Sequence, residues 1–276
     1  MTSEHPIFVP FRGDHVAAIV TVPEGQPRGV IGLLQGSGGP PRSHRYRLWT
    51  RTARRLAAAG IASVRLDYRG IGDSTGEYDL SMEAPPIEEV QTVIEVATGA
   101  LGVEQVGLVG NCLGARTAVA LGARWPNVTS VAAVLPQAAG PLLQDHGRAA
   151  SVRAYRTTQR TLPGLAPVLR KASRALTSSR PLIFIDDLSD AARTADVLLL
   201  FGGSAETRTR LRNGMDAIAR STATQRLEVW DLPTKGAAGF RPIHTQDATI
   251  DAVVQWMDET LPLAAGRPSI ASGSRG

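Results

Sequence analysis

Short apolar runs bounded by turn residues alternate along this chain with longer stretches whose apolar positions recur at helical spacing. Ile7-Phe8-Val9 and His15-Val16-Ala17-Ala18-Ile19-Val20 are β-rich and flank the turn former Arg12-Gly13-Asp14, which predicts an antiparallel hairpin. Gly29-Val30-Ile31-Gly32-Leu33-Leu34 is apolar without alternation, as in a strand buried on both faces. A Gly-Pro-rich loop follows at Gln35-Gly36-Ser37-Gly38-Gly39-Pro40-Pro41. The spacing then predicts a helix over Arg47–Ala59 that stops at Gly60, and a strand over Ala62–Asp67.

The same grammar continues with a helix over Pro86–Thr98, a strand over Val106–Val109, a helix over Leu113–Ala123 and a strand over Val131–Leu135. It resumes with a strand over Asp196–Phe201, a helix over Leu211–Arg220, a strand over Arg226–Leu232 and a last helix over Ala248–Leu261. This alternation predicts an α/β fold: a mostly parallel central sheet with helices on both faces. The core is expected over 1–136 and 191–264. Residues 137–190 break the rhythm with prolines and irregular helical stretches and are read as an inserted, mainly helical lid. Residues 265–276, rich in Gly, Ser and Arg, are expected to be a disordered tail.

Composition narrows the function. With 276 residues, 43% hydrophobic and 20% charged, the chain has material for one substantial core. No apolar stretch approaches 18 residues, and Met-Thr-Ser-Glu-His-Pro does not resemble an export signal, so a soluble cytoplasmic protein without membrane contact is expected. The single cysteine, Cys112, excludes an intramolecular disulfide and a multi-cysteine metal cluster, and neither metal nor cofactor is expected. The net charge of +5 is concentrated: Pro141–Arg180 holds seven arginines and Lys171 against Asp145, a local net charge of +7. Without basic runs interleaved with stacking aromatics, or zinc-finger spacing, nucleic acid is not the expected partner.

The stretch richest in chemistry is Val106-Gly107-Leu108-Val109-Gly110-Asn111-Cys112-Leu113-Gly114-Ala115, a buried strand turning sharply into a helix. It has the form G-x-C-x-G, a nucleophile elbow with cysteine where serine is usual. The glycines allow close approach of backbone and helix. The turn presents the sulfur at a helix N-terminus, whose dipole favours the thiolate over the thiol. A buried, inert thiol is the competing reading. A dinucleotide site at Gly36-Ser37-Gly38, with Asp67 ending the next strand, lacks the third glycine and meets Pro40-Pro41 where the phosphate-binding helix should begin.

With the elbow, the Gln35-Gly36-Ser37-Gly38-Gly39 loop and the turn Asp67-Tyr68-Arg69-Gly70-Ile71-Gly72-Asp73-Ser74, which looks like D-x-R-G-x-G-x-S, the chain resembles the α/β-hydrolase superfamily over nearly all its length. Its cysteine variant is similar to dienelactone hydrolases and some carrier-domain thioesterases. The resemblance implies an oxyanion hole from the backbone amides of Ser37 and Leu113, each donor contributing about 3 kcal/mol. Gln35, Gly36 and Asn111 would then border the substrate. By the same resemblance the triad acid is expected after the strand ending at Phe201, where Glu206 is the nearest carboxylate, and the histidine after the last strand. Chain order selects His244, yet Ala238 occupies the position, just before Gly239-Phe240, that the family histidine normally holds.

The expectation is therefore an enzyme in which Cys112 accepts an acyl group from an ester or thioester, with His244 and Glu206 as base and acid. Hydrolysis, acyl transfer and cyclisation all remain open, since a thiolate tolerates a poor base in acylation better than in deacylation. Arg148, Arg153, Arg156, Arg160, Arg170 and Arg174 form either a solvated helical face or a dock for an acidic acyl carrier protein, coenzyme A or a carboxylate substrate. The alternative is a fold relative without the conventional base, acting as a binding protein or as a non-hydrolytic cyclase or lyase.

Overall fold

The computed structural model describes residues 2–36, 41–81, 84–135, 183–202, 225–233 and 240–261, and places residues 209, 212–213, 215–216 and 218–219 in helical conformation. Strands β1 (Ser3–Phe11) and β2 (Asp14–Val22) form the expected hairpin, closed by Arg12 and Gly13, both at positive φ as tight hairpin turns require. They continue into β3 (Val30–Leu34), β4 (Ala62–Leu66), β5 (Val106–Asn111), β6 (Val128–Leu135), β7 (Asp196–Phe201) and β8 (Leu227–Asp231). Among the described residues these make one sheet of order β1-β2-β4-β3-β5-β6-β7-β8. β2 lies antiparallel to β4, and every pair from β4 to β8 is parallel.

Every residue of β3 and β4 is buried, which explains the unbroken apolar run of β3: a parallel strand covered on both faces has no polar side to show. Helices α2 (Ile87–Leu101), α3 (Leu113–Gly122) and α4 (Ile183–Thr194) cover one face through residues such as Val93, Ile94, Ala118, Leu188 and Ala191. Helices α1 (Leu48–Ala58) and α5 (Ile243–Thr260) cover the other through Trp49, Leu56, Val253, Trp256 and Met257. Each fully buried large aliphatic or aromatic side chain contributes about 1.5–3 kcal/mol, so the two layers fix the sheet firmly.

Several boundaries differ from expectation, with β1 and β6 starting earlier, at Ser3 and Val128. α2 runs on to Leu101 and stops only where Gly102, at φ 63°, turns the chain left-handed. α5 begins at Ile243 rather than Ala248, because the buried face of its first turns is polar: Thr245, Gln246 and Thr249 are buried and carry no apolar periodicity. Of the lid expected over 137–190, residues 137–182 lie outside the described residues, and α4 begins at Ile183. The expected helix over 211–220 is helical wherever it is described, and the tail expected over 265–276 lies outside. Among the described residues no helix is long and apolar enough to cross a membrane.

The sheet order carries a functional consequence. From β3 the chain crosses to β4 on one side and then back to β5 on the other, so the connections leaving β3 and β5 diverge at adjacent strand ends. In open α/β sheets the crevice at such a switch point is where ligands bind.

Candidate active site

Cys112 stands at that crevice. β5 ends at Asn111, α3 starts at Leu113, and Cys112 between them takes φ 53° and ψ −115°. Cys112 is one of five non-glycine described residues with positive φ, a conformation costing about 1–3 kcal/mol that persists only where the surroundings impose it. The surroundings are visible at the glycines. A Cβ on Gly110 would lie 2.6 Å from the amide nitrogen of Ala115, and one on Gly114 would lie 2.6 Å from the carbonyl carbon of Leu34. Strand β5, helix α3 and the end of β3 thus meet backbone to backbone, and the chain between Gly110 and Gly114 has no room for a relaxed turn. Cys112 is partly exposed at the N-terminus of the ten-residue α3. Leu113 is the first helical residue, so its amide belongs to the group that no intrahelical carbonyl can satisfy.

Gly36 lies directly against the elbow: a Cβ there would be 3.0 Å from Cys112 Cβ and 3.1 Å from Asn111 Nδ2. The half-buried Asn111 carries a buried Oδ1 with no hydrogen-bond partner among the described residues. Gln35 is wholly buried, and its amide is turned into the fold, donating from Nε2 to Leu66 O at 2.6 Å, while Tyr68 Oη donates to the Gln35 carbonyl at 3.2 Å. The structure therefore brings together Cys112, Leu113, Asn111, Gly36 and Gln35. His244 is exposed in the first turn of α5, inside the helix rather than before it. Ser37, Glu206, Ala238, Arg148, Arg153 and the five further arginines of 137–190 lie outside the described residues.

Several further polar residues were given no role of their own by the sequence. His44 is buried, with its ring 5.2 Å from that of Phe240 and 5.5 Å from Trp49; burial pushes its pKa down and favours the neutral imidazole. Arg42 pairs with the buried Asp67 and with Asp73. Tyr68, fully buried, has its phenol pushed above the usual range by burial and then by the neighbouring Glu89 carboxyl, and it also feels Cys112 electrostatically. Glu89 was legible in principle: it shares the core phase of α2 with Val90, Val93, Ile94 and Ala97.

Burial raises the Glu89 carboxyl from an ordinary 4.5 to about 7, a rise opposed by its hydrogen bond from the Arg69 amide at 2.8 Å. Because the folded protein holds this proton more tightly than the unfolded chain, stability is highest below the ordinary value and falls as pH rises from about 4.5 to about 7. Glu89→Gln, which keeps the acceptor and removes the titration, is expected to flatten that fall and to be more stable than the parent at pH 8 by up to about 3 kcal/mol. Urea unfolding midpoints at pH 5 and pH 8 check this; equal pH slopes in the two proteins would refute it.

Comparison with known proteins places this geometry. A monoacylglycerol lipase of Mycolicibacterium smegmatis is 28% identical over 195 residues, a match that takes in 70% of this chain and spans 60% of the relative's length. An esterase from Pyrococcus furiosus superposes with a TM-score of 0.65 at 11% identity, covering 94% of this chain and 92% of that one. A dienelactone hydrolase from Anabaena variabilis does so with a TM-score of 0.58 at 17% identity, covering 95% and 99%. These structural likenesses establish the α/β-hydrolase fold. Residues 25–232, from the connection before β3 to the residue after β8, match the family model described as serine aminopeptidase, S33, and the chain belongs to that family of α/β-hydrolase-fold enzymes.

Proposed function

We propose that the protein is an esterase-like hydrolase or acyl transferase whose nucleophile is Cys112, acting on an ester or thioester. The observation that carries this reading is the strained Cys112 backbone at the N-terminus of α3, set at the sheet's switch point and walled by Gly36. Cys112 Sγ attacks the carbonyl carbon, and the carbonyl oxygen becomes an oxyanion held by the amides of Leu113 and Ser37. Collapse expels the alcohol or thiol, which takes up a proton, and leaves an acyl-cysteine. Water, or an acceptor nucleophile, then attacks that carbonyl and returns the thiol. His244 is proposed as base and Glu206 as its acid, with Gln35, Gly36 and Asn111 bordering the acyl group. The lipase and esterase relatives support an ester substrate. The basic segment supports an anionic carrier, an acyl carrier protein or coenzyme A, docked by Arg148 and Arg153. Ala238, at the family's histidine position, favours a second reading, in which the acyl-enzyme awaits a partner nucleophile or the pocket performs a non-hydrolytic ring closure or elimination.

Intact-protein mass spectrometry with p-nitrophenyl acetate and an acetyl thioester tests both readings. An added acetyl group is expected on the parent and not on Cys112→Ala. An adduct that clears with time supports hydrolysis, and a longer lifetime in His244→Ala identifies that imidazole as the one that drives deacylation. A stable adduct supports transfer. No adduct with either probe would refute the Cys112 reading.

A further inference from the structure

The polar contacts around Asp67 go beyond the needs of its own turn. Within that turn, the Asp73 amide donates to Asp67 Oδ2 at 3.1 Å and Ser74 Oγ donates to the Asp67 carbonyl at 2.6 Å. The other carboxylate oxygen, Oδ1, accepts the backbone amide of Arg42 at 2.6 Å, and the Arg42 guanidinium closes on Oδ2. Arg42 belongs to the connection leaving β3. Seven residues earlier, where that connection begins, Gln35 is tied to the two residues flanking Asp67: its Nε2 donates to Leu66 O at 2.6 Å and its carbonyl accepts Tyr68 Oη at 3.2 Å. Three successive residues at the end of β4 therefore grip this connection at both ends. Between the grips Gly36 lies against Cys112. Asp67 is wholly buried, so its charge is worth keeping only while Arg42 pairs with it.

We infer that Asp67, acting through Arg42, and Tyr68, acting through Gln35, are positioning residues that set the oxyanion side of the Cys112 site. This rests on the Cys112 acylation reading. Donors in such a hole contribute only when they stand at hydrogen-bond distance from the developing charge, and a displacement of about 1 Å costs roughly a hundredfold in rate.

The test compares two reactions at Cys112 in the full chain. Acetylation by p-nitrophenyl acetate passes through an oxyanion, whereas alkylation by iodoacetamide displaces iodide at a saturated carbon and forms none. Asp67→Asn and Arg42→Gln are expected to slow acetylation about ten- to a hundredfold and to leave alkylation within about twofold of the parent. Tyr68→Phe, which keeps the buried ring and removes only the hydroxyl, is expected to slow acetylation several-fold with alkylation again unchanged. Where the aspartate variant does not fold, Tyr68→Phe and Arg42→Gln decide. Parallel losses in both reactions would mean that these residues merely hold the elbow, and unchanged acetylation would mean that they do not position the hole; either overturns the inference alone. A parent protein that is alkylated at Cys112 but never acetylated would overturn the acylation reading, and the inference with it.

Discussion

Cys112→Ser is expected to lower the rate of enzyme acylation by about a thousandfold, with the folded structure unchanged. Sulfur and oxygen are similar enough in size for the elbow to accept either, so the loss isolates the chemistry. A thiol ionises some units below an alcohol and reaches its nucleophilic form without a strong base, whereas serine depends on an imidazole taking its proton in the transition state, a contribution of about 10²–10⁴. By the family resemblance, the position expected to supply that imidazole holds Ala238, and His244 is exposed within the first turn of α5. The burst of p-nitrophenol released on mixing with p-nitrophenyl acetate measures the effect. A serine variant within tenfold of the parent would show that a competent base already stands at the elbow and that cysteine was not needed to compensate for its absence.

Gly114→Ala is expected to be the most destabilising single-methyl change among the described glycines of the site, by at least about 3 kcal/mol, with Gly110→Ala close behind. The added Cβ at 114 meets the Leu34 carbonyl and lies 2.8 Å from the Gln35 carbonyl oxygen; at 110 it meets the Gly114 carbonyl. These are backbone atoms of β3, of the residue that follows it and of α3. Relief requires the helix to lift from the sheet, which opens a gap beneath Ala115 and Ala118 and moves Cys112 away from Gly36. Gly99→Ala, on the exposed side of α2 with no atom near its added Cβ, is the matched control and is expected to stabilise the protein by about 0.5–1 kcal/mol. Urea unfolding of the three variants checks the contrast. A Gly114→Ala protein as stable as Gly99→Ala would show that the elbow is not the tight backbone junction described above.

Hydrophobic patterning along the chain was enough for the architecture. Runs such as Val30–Leu34 and Asp196–Phe201 became buried parallel strands, the Arg12-Gly13-Asp14 turn became a hairpin, and G-x-C-x-G placed Cys112 between strand and helix. These features are local: a period, a turn residue or a pair of glycines carries its own steric reason. Glu89 shows the limit of such reading, since its place in the core phase of α2 was visible while the consequence, a carboxyl titrating near neutrality, depends on what covers it. The start of α5 shows another, because polar residues satisfied by capping-turn and helix carbonyls, as Gln246 is by Phe240 O and Thr249 by Thr245 O, leave no apolar signature.

The sequence by itself determined the alternation of strands and helices apart from α4, the two-faced burial of the sheet and the identity of the elbow cysteine, because each follows from contacts between near neighbours and from the free energy of burying apolar side chains. Only the tertiary structure decided that Gly36 packs on Cys112, that Asp67 and Tyr68 grip the connection after β3 at both ends, and that His44 rests on Phe240. Those pairs are brought together by strand order, and hydrogen bonds across 25 to 33 residues leave no periodic trace in a chain.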